Sequence, residues 1–242
     1  MTRARCKKNS PRRPGGQKTL CIFSYGLHPD QVTLETLAAM RGCGAVYTNC
    51  LDAGTVHLFP HLGPRLKLMT SLDRAETAGI VAAGFRDHDT VGFLTYGNPL
   101  FLNQAAAGVI KAAAGSKPRV RVFPAVSSFD SLVNLFNLNK YSPAGLRLVD
   151  AASALTRPVF TPEMDTLIFV PDVLNLPANA AHRKNFLAAA HKAYPASAPV
   201  FLADCASLAC NSEKVEKGSV GGLEKLLALV NGRHTIFIPA VK

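Results

Sequence analysis

The chain has 242 residues, 48% of them hydrophobic, and a formal net charge of +11 from 27 Lys and Arg against 16 Asp and Glu. That length suits one large domain or two small ones of roughly 100 to 150 residues, and the apolar content excludes a wholly disordered chain. No run of about 18 apolar residues is present to span a bilayer and the basic N-terminus lacks the apolar stretch of a secretion signal, so a soluble, cytoplasmic protein with no membrane partner is expected.

Taken in chain order, residues 1–18, MTRARCKKNSPRRPGGQK, carry seven positive charges and no acid, which leaves 11 − 7 = +4 for the rest. Pro11, Pro14 and a Gly pair leave no apolar periodicity, so a disordered, solvated tail is expected. An arm that grips an anionic partner is the alternative, but no RNA-binding motif with interleaved aromatics accompanies it and Trp is absent, so nucleic acid is not expected as a partner. The apolar runs TLCIFSY (19–25), AVYTN (45–49), DTVGFLTY (89–96) and RVRVFPAV (119–126) predict strands. Helical spacing predicts helices near 31–41, near 71–84 and over 101–114, with a fourth after an N-cap at Ser127 or Ser128. Residues 139–148, NKYSPAGLRL, read as a connection because of Pro143 and Gly145. A second series follows: strand 165–171, helix near 181–193, strand 198–205, helix near 221–231 and strand 234–239. The expected organisation is a tail (1–18), an N-terminal α/β domain with a parallel sheet (19–140) and a C-terminal α/β domain with a mixed sheet (146–242).

Cys6, Cys21, Cys43, Cys50, Cys205 and Cys210 form no C-x-x-C, and none combines with His at zinc-site spacing. Free thiols and no metal are expected. There is no G-x-x-x-x-G-K-[ST] phosphate loop, the Gly42-Cys43-Gly44 triplet precedes a strand, and no G-x-S-x-G elbow occurs. The strand exit LTYGNPLFLN (94–103) is more telling. In an open α/β sheet ligands bind beyond the carboxyl ends of the strands, where Gly97 lets a ligand approach the backbone and Pro99 fixes the turn. FPAVSS (123–128) delivers two hydroxyls to a helix start in the same way.

The order of SYGLHPDQVTLETLAAM (24–40), VGFLTYGNP (91–99) and VFPAVSSFDSLVNLF (122–136) resembles the tetrapyrrole methylase superfamily of S-adenosylmethionine-dependent methyltransferases. Those enzymes carry a glycine-rich first loop, a Y-G-[DH]-P turn and a P-G-V-S-[SA] turn at corresponding places. DAASALTRPV (150–159), DTLIFV (165–170), APVFLADC (198–205) and HTIFIP (234–239) look most like the branch that N-methylates peptide backbones to make borosin natural products. The resemblance implies two α/β domains of class III methyltransferase type with the cofactor cleft between them, and a homodimer in which the partner caps the active site. It implies S-adenosylmethionine as cofactor, S-adenosylhomocysteine as product and a separate peptide as methyl acceptor. A small-molecule or tetrapyrrole acceptor, or a module that binds cofactor or peptide without turnover, remains as an alternative.

Residue by residue, the resemblance assigns cofactor contacts to Gly26 at a distance and to Tyr96, Gly97, Asn98, Pro99, Phe101, Ser127 and Ser128. In the C-terminal half it assigns Val170, Pro171, Asp204, Cys205 and Thr235. Tyr96 and Arg65 are the implied catalytic residues, Tyr96 in the turn and Arg65 on the acceptor side. Asn98 stands where most of that branch has His. Phe59 and Met69 stand where the borosin enzymes have tyrosines beside the substrate amide, and neither offers a phenol to take or shield an amide proton. His28, His57 and His61 fall in loops near the expected cleft, where a surface role is the commoner one.

Overall fold

The computed structural model describes residues 17–60, 65–69, 73–158, 160–207 and 212–241. The expectations for the tail up to Gly16, including Cys6, and for His61 and Cys210 lie outside the described residues. The chain divides into two compact units, one of Met1–Ser24 and Val32–Ala125, the other of Tyr25–Gln31 and Val126–Lys242.

The first unit is built on five parallel strands, β1 (Thr19–Ser24), β2 (Ala45–Thr48), β3 (Leu66–Leu68), β4 (Thr90–Thr95) and β5 (Arg119–Val122), in the order β3-β2-β4-β1-β5. Helices α1 (Leu34–Arg41), α2 (Arg74–Ala83) and α3 (Gln104–Ala113) connect them. β1 and β4 lie side by side in register from Thr19↔Thr90 to Ser24↔Thr95. They read as continuous apolar runs because a central parallel strand is covered on both faces. On one face Leu20, Ile22, Val91 and Phe93 pack with Ala78 and Val81 of α2 and with Ala106, Val109 and Ala113 of α3. Each fully buried Leu, Ile, Val or Phe is worth about 1.5–3 kcal/mol. Asp73 caps α2 through a reciprocal box with Glu76, and Thr33 caps α1 by accepting from the Thr36 amide at 3.1 Å.

The second unit holds α4 (Ser128–Leu135) and a mixed sheet of β6 (Leu146–Asp150), β7 (Asp165–Phe169), β8 (Pro199–Asp204), β9 (Lys214–Ser219) and β10 (His234–Ile238) in the order β6-β7-β10-β8-β9. It also holds α5 (Ala151–Ala154), α6 (Ala180–Ala193) and α7 (Leu223–Ala228). Only β6 and β7 are parallel; β10 runs against both β7 and β8, and β9 against β8. Its core joins Ile168, Leu202, Ile236 and Ile238 of the sheet to Phe186 and Ala190 of α6 and Leu223 and Leu227 of α7.

The parallel first sheet and mixed second sheet agree with the sequence reading, and three local expectations are corrected. Residues 139–148 are not wholly a connection, since β6 begins at Leu146, directly after the Gly145 turn. β3 and β9 were not expected; they are edge strands, one of three residues and one mostly exposed. The contacts also group α4 and residues 25–31 with the second unit, whereas the sequence pattern groups them with the first.

Candidate functional site

In the first sheet the connection from β1 leads past β4 to β2, while that from β4 leads past β1 to β5. Adjacent strands whose connections depart in opposite directions define a topological switch point, the preferred ligand position of an open α/β sheet. The turn after β4 therefore begins where the sheet itself favours a ligand.

That turn is braced from within. Asn98 Oδ1 accepts hydrogen bonds from the Leu100 amide at 3.0 Å and the Phe101 amide at 3.1 Å, an Asx-type turn that holds the loop open past Pro99. Asn103 closes the other end: its Oδ1 accepts from the Ala106 amide at 3.0 Å, capping α3, and its Nδ2 donates to Thr95 Oγ1 at 2.9 Å. Gly97 adopts φ 65°, and a Cβ there would meet nothing within 4 Å, so the residue is required by its left-handed backbone and leaves open space beside it. Leu102 is also left-handed, at φ 53°. Tyr96, at 39% exposure, is among the exposed large side chains, while Pro99 is buried.

Arg65 lies beside β3, where its Nη1 donates to the Arg41 carbonyl at 3.0 Å, satisfying the C-terminal end of α1. Phe59 and Met69 are both buried, and the Met69 amide donates to the Thr48 carbonyl at 2.8 Å, continuing the β2–β3 pairing. The two positions at which the borosin enzymes of the sequence resemblance have tyrosines are packing positions here. His57 is exposed, in the short helical turn Val56–Leu58.

In the second unit the register gathers the remaining residues at one end of the sheet. Thr235 pairs with Phe169 of β7 on one side and with Ala203 of β8 on the other. Val170 and Pro171 follow Phe169, while Asp204 closes β8 and Cys205 follows it. Val170 is a β-branched residue at φ 55°, ψ 41°, a conformation costing about 1–3 kcal/mol that persists where surrounding structure imposes it, often at ligand sites. Cys205 Sγ contacts the Ser128 carbonyl at 3.8 Å, and burial first, then nearby Glu213 and Asp204, push its thiol up to about 12. Asp204 is buried and paired with Arg233, whose Nε and Nη2 each donate to Oδ2 at 3.0 Å. Desolvation lowers the pKa of neighbouring His234, with the Asp204 charge opposing that shift. Ser127, the N-cap of α4, gives both its amide and its hydroxyl to Asp130 Oδ2, at 2.7 and 2.8 Å.

Gly26, at φ 80°, is confined as well as strained, because a Cβ would come within 2.7 Å of Gln31 Oε1. Gln31 Oε1 accepts from the Leu27 amide at 2.7 Å and from the His28 amide at 3.2 Å. This short loop and the segment after β8 enclose a cavity of about 330 Å³ lined by His28, Gln31, Ala206 and Ser207. Of these the sequence singled out His28 alone. Gln31 and Ser207 follow no motif and acquire a role only when the fold brings their segments together. Among the described residues no cluster of three His, Cys, Asp or Glu could hold a metal ion, and Cys21, Cys43, Cys50 and Cys205 are free. No described helix is long and apolar enough to cross a membrane.

No family model matches the sequence, and no curated protein does. Solved structures do. A cobalt precorrin-4 methyltransferase of cobalamin biosynthesis superposes with a TM-score of 0.63 at 13% identity over 91% of this chain and 94% of that one. The uroporphyrin-III C-methyltransferase of Thermus thermophilus gives 0.63 at 14% identity, covering 92% of each chain. A diphthine synthase gives 0.58 at 14% identity over 92% of this chain and 90% of that one. At such identities the likeness is one of fold, and the chain has the fold of these enzymes.

Proposed function

We propose that this protein is an S-adenosylmethionine-dependent methyltransferase of the tetrapyrrole methylase superfamily. The observation that carries the reading is the turn after β4. A left-handed Gly97 with open space beside it and an exposed Tyr96 stand at the switch point of a sheet whose fold is shared, over nine-tenths of the chain, with two methyltransferases and a diphthine synthase. The cofactor contacts are Tyr96, Gly97, Pro99 and Phe101 in the first unit, with Asn98 shaping the loop. In the second they are Ser127, Ser128, Val170, Pro171, Asp204, Cys205 and Thr235, with Gly26 further off. The residues present suit such a ligand: apolar groups and backbone amides for the adenine and methionine chain, hydroxyls for the polar ends. The bound sulfonium would supply the activated methyl, and the protein's task is positioning. Tyr96 is the polar group of the reacting centre and Arg65 acts on the acceptor side.

The acceptor we favour is a separate peptide, methylated on a backbone amide, because the second-half motifs look most like the borosin branch. The tetrapyrrole names of two structural neighbours favour the second reading. Calorimetry with S-adenosylmethionine and S-adenosylhomocysteine, on the full chain and on one starting at Lys18, tests the cofactor. Saturable binding of both ligands to both chains is expected, and none to either overturns the proposal. Mass spectrometry after incubation with candidate peptides or with a uroporphyrinogen separates the acceptors by where a 14-dalton increment (about one CH₂, transferred as methyl for a proton) is found.

A further inference from the structure

The cavity beyond β8 brings three polar side chains together. Ser207 is 3% exposed, and its Oγ has no hydrogen-bond partner among the described residues. A buried hydroxyl left in that state costs about 1–3 kcal/mol, so its position is explained by a group that enters from the cavity. Gln31 spends its Oε1 on the Leu27 and His28 amides. That contact fixes the carboxamide's orientation and leaves its NH₂ as a donor pair. His28 is held from the Nδ1 side by Asp30, with Oδ2 at 3.1 Å and the Asp30 amide at 3.4 Å, which leaves Nε2 as the nitrogen available to a ligand. Ala206 adds a methyl wall, and among the described residues no Lys, Arg, Asp or Glu lines the cavity.

We propose that this cavity is a binding subsite for an uncharged secondary amide, a peptide linkage, which the Gln31 carboxamide, the Ser207 hydroxyl and His28 Nε2 hold between them. A secondary amide presents one carbonyl acceptor and one N–H donor. The Gln31 NH₂ and His28 Nε2–H donate to the carbonyl, and Ser207 Oγ accepts from the N–H. A carboxylate or phosphate finds no cationic partner here, and an isolated buried anion is expensive. At about 330 Å³ the space is at the small end of ligand sites, so it holds a short stretch of backbone. As the acceptor end of a methyl transfer the inference rests on the function proposed above; as a binding site it does not.

The test therefore uses the full chain without cofactor. N-acetylalanine N′-methylamide is titrated while the His28 imidazole and Ser207 amide signals are followed by NMR. Its ester analogue, which lacks the N–H, and N-acetylalanine, which carries a carboxylate, are run beside it. Saturable shifts with the amide, at least tenfold weaker binding of the ester and none of the carboxylate are expected. Ser207→Ala should weaken the amide at least fivefold while raising the melting temperature of the unliganded protein, because an orphaned hydroxyl is removed. Gln31→Glu keeps the oxygen that holds the Leu27 and His28 amides, and it should weaken the amide at least as much. No saturable shift up to the probe's solubility, equal affinity for the ester, preference for the carboxylate, or unchanged affinity in Ser207→Ala overturns the proposal. Failure here with cofactor binding intact leaves the methyltransferase reading standing, and the converse result separates the two in the other direction.

Discussion

At the scale of single residues, Tyr96 and Val170 test the proposed division between catalysis and binding. Tyr96 is the exposed aromatic of the β4 exit, and if its hydroxyl orients the reacting group, Tyr96→Phe should lower turnover by roughly ten- to a thousandfold. Cofactor affinity measured by calorimetry should stay within about twofold, because the ring remains to pack. Val170 works in the opposite sense. A Val held at φ 55° carries backbone strain that glycine would not. Val170→Gly should therefore leave thermal stability unchanged or raise it by about 1 kcal/mol, whereas a strain-free exposed Val→Gly should cost a few tenths. Cofactor affinity should fall, since the side chain and its fixed direction are lost from the end of β7. A clear loss of stability in Val170→Gly would show that the left-handed conformation is not a source of strain.

Elements carry the next level. The loop from β4 to α3 holds its shape because Asn98 accepts from the Leu100 and Phe101 amides, while Asn103 accepts from the Ala106 amide and donates to Thr95 Oγ1. Asn98→Ala should strand the Leu100 and Phe101 amides, speed their hydrogen exchange and weaken cofactor binding by about 1–3 kcal/mol. Asn98→Asp keeps the acceptor oxygen and should restore slow exchange. The same logic explains what sequence could show. β1, β2, β4, β7, β8 and β10 were legible because central strands are apolar along most of their length. β3 is three residues beside a Pro- and Gly-rich segment, too short for any period to register. β9 reads KVEKGS, since an edge strand with a solvated side needs few apolar residues and is protected by charge. The turn at Gly97 was legible because glycine and proline mark backbone geometry directly. Gln31 and Ser207 were not, since an isolated polar residue gains meaning only from what the fold sets opposite it.

The exit of β8 carries a pH-dependent contribution as well. Cys205 is held protonated up to about 12 by burial, whereas an unfolded chain ionises its thiols near pH 8.5. The folded state thus keeps a proton that the unfolded state gives up. The contribution is whole below about pH 8.5 and is lost as pH rises toward 12, at no more than about 1.4 kcal/mol per pH unit for one proton. Denaturant unfolding of Cys205→Ala should show a shallower decline of stability between pH 9 and 11 (roughly the span above the unfolded thiol) than the parent. Cys50, pushed up by burial too, remains in both proteins and cancels in the comparison. Identical slopes would mean that the Cys205 thiol is not protected as its surroundings imply.

At the scale of the whole molecule, the proposed chemistry requires walls around a small reacting centre, and the resemblance implies that a second copy supplies some of them. The chain keeps apolar side chains in contact with solvent: Leu34 at 85%, Leu100 at 57% and Leu102 at 40% exposure. Leu100 and Leu102 belong to the same β4 exit that carries the candidate cofactor turn, and scattered apolar exposure needs no explanation whereas exposure within a functional loop does. We therefore expect a homodimer in solution. Sedimentation velocity should give a species near twice the chain mass of 25.8 kDa at micromolar concentration, and the melting temperature should rise with protein concentration, as mass action requires when folding and association are linked. Replacing Leu100 and Leu102 together by Ser should shift the equilibrium toward monomer if the loop meets the partner. A monomer in the unaltered protein, with S-adenosylmethionine present, would mean that one chain closes its own site, and the loop's apolar exposure would then have to be read as the mouth through which acceptor or cofactor enters.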